Sequence, residues 1–181
     1  PMSARRQRQM CIRDRLRPDH AAEVLETFLA DFDADPGELH GYFCGRDWPI
    51  ARAVDTLAAW GRGELLQPGW VPCSTWFWEA DGALQGVINV RHHLNAQLEE
   101  IGGHIGYSVA PAHRRKGVAT AMLAAVLPHC RQLGITRALL TCDTDNIGSR
   151  KTIESAGAVL EREGWLERSQ TVQRWYWLDL G

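Results

Sequence analysis

Net charge is nearly missing from this sequence: 20 lysines and arginines stand against 22 aspartates and glutamates, leaving −2 over 181 residues. Such a balance supplies no global field for nucleic acid or an anionic membrane, so any basic patch has to be local. No apolar run approaches the ~18 residues that span a bilayer. The stretch from Pro1 to Asp19 lacks the roughly 7–15 residue apolar segment of a secretory signal. Cysteine is sparse and scattered: Cys11, Cys44, Cys73, Cys130 and Cys142 are odd in number and never fall as C-x-x-C. That pattern reads as reduced thiols in a cytoplasmic protein and argues against a zinc or redox motif. Internal repeats and low-complexity tracts are absent. So are the Gly-x-x-x-x-Gly-Lys-Ser/Thr loop of nucleotide hydrolases and the Gly-x-Gly-x-x-Gly dinucleotide fingerprint.

What is present suits one globular domain, with 45% apolar and 23% charged residues. Residues 4–14 resemble the translation of a sequencing adapter. Residues 1–14 are therefore set apart as non-native or disordered, their arginines carry no functional weight, and 15–181 is read as the domain. From Asp19, a plausible N-cap, Val24, Leu25, Phe28, Leu29 and Phe32 recur at helical spacing until Asp35-Pro36-Gly37. A second helix is expected from Pro49 to Trp60. Ser74–Glu79 and Leu84–Arg91 read as strands joined by an Asp81-Gly82 hairpin turn, and Gly103–Val109 as a third.

A long helix follows over Gly117–Leu133, with Ala119, Met122, Leu123, Val126 and Leu127 on its buried face and Pro128 as a point where it kinks or ends early. Ala138–Cys142 is a short buried-type strand. A helix capped by Asp145 or Asn146 runs to Ala156. Strands at Ala158–Gly164 and Thr171–Leu180 close the chain, and one more is possible near Ile12–Arg17. The sum is a mixed α/β chain.

Chemistry concentrates in Val109-Ala110-Pro111-Ala112-His113-Arg114-Arg115-Lys116-Gly117-Val118-Ala119-Thr120. A strand stops at a proline, a basic loop follows, and a glycine opens a helix. Amides at a helix start have no intrahelical acceptor, and the helix dipole adds about half a positive charge there. Together they form a cradle for a phosphate. Gly117 would let phosphates approach the backbone, and Ala119 would not obstruct them. Arg114, Arg115 and Lys116 add positive charge, although basic residues ahead of a helix are as often merely solvated.

The spacing Arg114-x-x-Gly117-x-Ala119 is similar to the Arg/Gln-x-x-Gly-x-Gly/Ala signature of the GNAT superfamily of N-acetyltransferases. Around it stand the Gly-Tyr-Ser-Val-x-Pro strand and a downstream Asn146-Ile147-Gly148-Ser149-Arg150-Lys151 leading to Gly157. The likeness spans roughly Ser74 to Leu180. A narrower likeness, to a bacterial group of predicted acetyltransferases, rests on Gly69-Trp70-Val71-Pro72-x-Ser74-Thr75, Arg91-His92-x-Leu94-Asn95, Gly102-Gly103-His104-Ile105-Gly106-Tyr107 and Arg174-x-Tyr176-Trp177.

The resemblance implies an acyl-CoA N-acyltransferase fold, α+β in its mixed sheet, with Gly103–Val109 and Ala138–Cys142 as a splayed central strand pair. It implies acetyl-CoA as co-substrate and no metal. Backbone groups of Tyr107, Ser108 and Val109 would pair with the pantetheine arm as an added strand does. The Val109 N–H would donate to the thioester carbonyl. Amides from Arg115 through Lys116, Gly117, Val118 and Ala119 to Thr120 would hold the pyrophosphate, and Asn146 and Ser149 would line the thiol end. Many members carry a tyrosine seven residues after the asparagine as general acid; here Ile153 stands in that place. Ser149 or Tyr107 is the candidate substitute, or the thiolate leaves unassisted.

An alkylammonium of pKa ~10 loses a proton before attack. Glu100 and His104 are the base candidates, equally readable as a solvated turn and a core histidine. His92 and His93 alternate along a strand, and His92, inside the shared motif, is the one taken to face the cleft; no zinc-ligand spacing accompanies them. Among eight tryptophans, Trp76, Trp78, Trp175 and Trp177 are expected in the core. Trp70, in a Gly/Pro loop beside Ser74, is a candidate wall of the acceptor pocket. The acceptor is read as a small primary amine, with a protein or peptide amine as the alternative and an acyl-CoA-binding module without turnover as a third reading. A homodimer is possible; nucleic-acid or membrane partners are not expected.

Overall fold

The computed structural model describes residues 12–13, 22–33, 39–40 and 42–181. The rest of the segment 1–14, the Asp19 cap and the Asp35-Pro36-Gly37 break lie outside the described residues. Ile12–Arg13 (β1) is a strand, within the Ile12–Arg17 stretch that the sequence marks. Helix α1 covers Ala22–Ala30 and α2 covers Ile50–Gly61, with Pro49 at the α2 N-cap. Their apolar faces (Leu25, Phe28, Leu29 and Leu57, Trp60) bury against Phe77 and Val87 of the neighbouring sheet.

That sheet runs β1-β2-β3-β4, all antiparallel, with β2 at Cys73–Ala80, β3 at Ala83–Arg91 and β4 at Ile105–Val109. The β2–β3 turn is the expected Asp81-Gly82, both residues at positive φ (54° and 76°), which matches the right-handed twist of the flanking strands. A second sheet, ordered β5-β7-β6, holds Arg137–Asp143 (β5), Val159–Leu166 (β6) and Thr171–Asp179 (β7).

Between the sheets lies the second core, built on α4 (Val118–Gln132). Its Met122, Leu123, Val126 and Cys130 pack on Ile88, Leu140 and Tyr176. Burying side chains of this size stabilises by ~1.5–3 kcal/mol each. Pro128 does not end α4, because the helix continues to Gln132. Helix α5 spans Ile147–Ser155 and is capped by Asn146, whose Oδ1 accepts from the Ser149 N–H at 2.9 Å. One short helix, α3 (Ala96–Glu100), has no counterpart in the sequence reading; Asn95 caps it by accepting from the Leu98 N–H at 3.0 Å.

The two sheets meet at a neck. The His104 N–H donates to Leu139 O at 2.7 Å, and the Gly102 N–H donates to Thr141 Oγ1 at 3.0 Å. The approach is close enough to require glycine at 103. A Cβ there would stand 2.3 Å from Leu139 O, and the residue also has φ +60°. Past this neck, among the described residues, no ladder joins β4 to β5, and the two strands form opposite walls of a cleft.

Candidate active site

The cleft has a volume of 680 Å³. Ile105 to Val109 form one wall, Thr141 to Asp143 the other, and the start of α4 closes one end. The Ala110 N–H donates to Gln85 O, so the alternation of an antiparallel ladder turns the amides of Tyr107 and Val109 away from β3, towards the unpaired edge. An extended chain laid in the cleft would find there the hydrogen-bonding pattern of a strand edge.

At the α4 end, Pro111–His113 form a 3-10 turn, Arg115 has φ +63°, and Gly117 has φ +81° as the N-cap. A glycine adopts this left-handed conformation without the penalty any other side chain meets. The helix begins where the Ala121 N–H donates to Gly117 O at 3.0 Å; among the described residues no carbonyl accepts from the backbone N–H groups of Arg115 to Thr120. Free amides, a helix dipole and the Arg115 and Lys151 side chains face the same space, which suits a diphosphate.

The cleft brings together eleven of the sequence-selected residues: Tyr107, Ser108, Val109, Arg114, Arg115, Gly117, Val118, Ala119, Thr120, Asn146 and Ser149. Lys116 is not among its lining; its Nζ donates to Ala112 O at 2.8 Å and closes the loop. Arg114 Nε donates to Val109 O at 3.1 Å. Tyr107 Oη lies 2.9 Å from Ser149 Oγ. Burial pushes the Tyr107 phenol up to about 12, so it stays protonated. Ile153 is buried in the core at 1% exposure and carries no donor.

Glu100 and His104 stand outside the cleft lining. The Glu100 side chain is exposed, and its carbonyl accepts from Trp175 Nε1 at 2.9 Å. His104 is buried, with Nδ1 accepting the Leu139 N–H at 2.9 Å. Its one basic lone pair is thereby engaged, and burial, with Arg91 and His93 nearby, lowers its pKa from 6.5 to about 4. Trp70, Ser74 and His92 also lie off the cleft lining. Ser74 Oγ and His92 Nε2 bond each other at 2.9 Å, and Trp70 packs edge-on to Trp60 and Phe43.

His40, Arg91 and Asp143 line the cleft without having been selected. His40 left no signal in the sequence. Arg91 was inside a quoted motif, but nothing marked it as distinct from the histidine that follows. Among the described residues no cluster of three or more histidines, cysteines, aspartates or glutamates could hold a metal ion, and no helix is long and apolar enough to cross a membrane.

Two β-sheets held at a neck and opening towards a glycine-started helix agree with the splayed strand pair that the resemblance to the GNAT superfamily implies. Over residues 12–159 the chain matches the acetyltransferase (GNAT) domain; it belongs to that family and is an acetyl-CoA-dependent acyltransferase. No curated protein matches it in sequence.

Solved structures share the fold at low identity. RimJ of Mycobacterium smegmatis, in complex with a CoA disulfide, is 24% identical, with 91% of this chain and 79% of that one covered and a TM-score of 0.62. YncA of Salmonella typhimurium, with its cofactor acetyl-CoA, is 15% identical over 90% and 89% of the two chains, TM-score 0.59. An acetyltransferase of Salmonella typhimurium that modifies the N-terminal serine of a ribosomal subunit protein is 15% identical over 91% and 92%, TM-score 0.62.

Proposed function

We propose that the protein transfers the acetyl group of acetyl-CoA to a primary amine of a small molecule by direct attack with both substrates bound. The observation that carries this reading is the unpaired edge of β4 leading into the free amides at the start of α4. In it, amides from Arg115 to Thr120 hold the diphosphate, backbone groups of Tyr107 to Val109 align the pantetheine arm, and the Val109 N–H points at the oxygen where charge develops. Acetyl-CoA supplies the activated acyl carbon; alignment in the cleft supplies ~7 kcal/mol or more of the barrier reduction. Tyr107 Oη and Ser149 Oγ hold the hydrogen-bond donor that Ile153 cannot provide. His104 serves as a strut of the neck, since its lone pair is engaged by Leu139. The buried free thiols Cys44, Cys73, Cys130 and Cys142 are consistent with a reducing, cytoplasmic setting.

A protein N-terminus is the second acceptor, favoured by the ribosomal-protein acetyltransferases among the structural neighbours. Thiol release from acetyl-CoA, measured against a panel of small amines and short peptides, separates the two. Turnover of small amines at low concentration supports the first, and turnover of peptides alone supports the second.

A further inference from the structure

Thr75, Asn89 and Gly106 lie side by side across β2, β3 and β4, with Arg91 two residues further along β3 on the same face. Asn89 is 0% exposed; its amide has no oxygen or nitrogen partner, and the Cys73 thiol beside it is its one hydrogen-bonding neighbour. Arg91 is half-buried, and burial lowers its pKa. Its Nη1 donates to Gly102 O at 3.0 Å and Gly103 O at 3.1 Å, and among the described residues no carboxylate pairs with its charge.

Gly106 lies against both. A Cβ built there would stand 3.0 Å from Asn89 Oδ1, tighter than a side chain ordinarily sits, and 3.5 Å from Arg91 Nη1 and Nη2, so glycine is what lets β4 lie this close to them. Gly102, Gly106 and Arg91 all line the cleft, near its neck. A half-buried cation that lines the cleft, with no carboxylate partner among the described residues, is the chemistry of a small anion site. With Nη1 committed to carbonyls, the Nε–Nη2 edge of the guanidinium remains, a two-pronged face that matches the two oxygens of one carboxylate.

We propose that Arg91, at the neck of the cleft beside Gly106, holds a carboxylate carried by the acceptor, so that the amine acetylated is an amino acid or a related amino-carboxylic acid. This rests on the acetyl-transfer reading and narrows its acceptor.

The test compares kcat/KM for the proteinogenic amino acids with that for their carboxamides, which keep the amine and lose the charge. Calorimetric titration of CoA runs alongside on every variant. The expected result is a preference for the acid of roughly tenfold to a hundredfold, the size of a charge-assisted hydrogen bond in a desolvated site. Arg91→Gln should bring that preference to near one, and Arg91→Lys should restore part of it. Gly106→Ala, whose methyl crowds Asn89 Oδ1 and stands against the Arg91 guanidinium, should weaken the preference through a higher KM for the acids alone.

If CoA binds and amines are turned over, yet acids and carboxamides react alike, or the preference survives Arg91→Gln and Gly106→Ala, the carboxylate subsite is wrong and the acetyl-transfer reading stands. Turnover of peptides without turnover of any amino acid would overturn the subsite in the same way. If CoA does not bind, both fall.

Discussion

At the scale of single residues, the site divides into groups that touch the cleft and groups that shape it. Tyr107 belongs to the first. A phenol pushed up to about 12 cannot hand over its proton readily, but it can donate a strong hydrogen bond to a departing sulfur. Tyr107→Phe should lower kcat by roughly tenfold to a hundredfold and leave the Kd for CoA unchanged, as stopped-time thiol release and calorimetry would show. An unchanged kcat would remove the hydroxyl from the mechanism.

His104 belongs to the second group. Its folded pKa, about 4, lies below its ordinary 6.5, so folding favours the neutral ring. The stability it contributes is therefore full above pH 6.5 and lost as the pH falls towards 4. Urea unfolding across that window should show a steeper acid-side loss for the native chain than for His104→Gln. Parallel profiles would mean that His104 does not titrate with folding.

Elements show why part of this was legible in sequence and part was not. Helices α2 and α4 announce themselves by period because each buries one face, whereas β2 and β3, buried on both faces, are legible by their aromatic and β-branched composition and the Asp81-Gly82 turn. Helix α3 buries none of its residues, so its sequence carries no period to read, only the Asn95 cap. Pro128 shows packing overriding propensity: Val126 and Cys130 on either side of it are fully buried, and that burial holds α4 together through the proline.

The loop residues that line the cleft could be picked out because the Arg114-x-x-Gly117-x-Ala119 spacing stands between a proline-stopped strand and a long helix; their basic charge alone would not have marked them. The base and acceptor assignments were not readable, because which side chain enters a cleft depends on where two sheets separate. Arg91 and His92 are neighbours in the chain with opposite fates. The first lines the cleft and the second bonds Ser74 off it.

The neck gives an element-scale prediction. Gly103→Ala adds left-handed backbone strain and an overlap with the Leu139 carbonyl, which together cost roughly 2–4 kcal/mol. Chemical denaturation would read that loss. A neutral substitution would mean that the sheets need not approach so closely.

Across the whole molecule, α1 and α2 pack on one face of the first sheet and α4 on the other, each side with its own core. The cleft lies where the two sheets part, and a ligand seated there touches both. Binding should therefore stabilise the fold as a unit, by about 2.7 kcal/mol at a hundredfold excess over Kd.

The cofactor cradle is probed at its source by calorimetric titration of coenzyme A into the native chain and into Gly117→Val. Valine at a residue with φ +81° costs about 1–2 kcal/mol of stability and places a branched side chain where the diphosphate would lie. One saturable site is expected in the native chain, with an affinity at least roughly tenfold weaker in a variant that remains folded, the loss that follows a displaced charge-assisted hydrogen bond. No binding to the native chain, or equal binding to both, would contradict a diphosphate held at the start of α4.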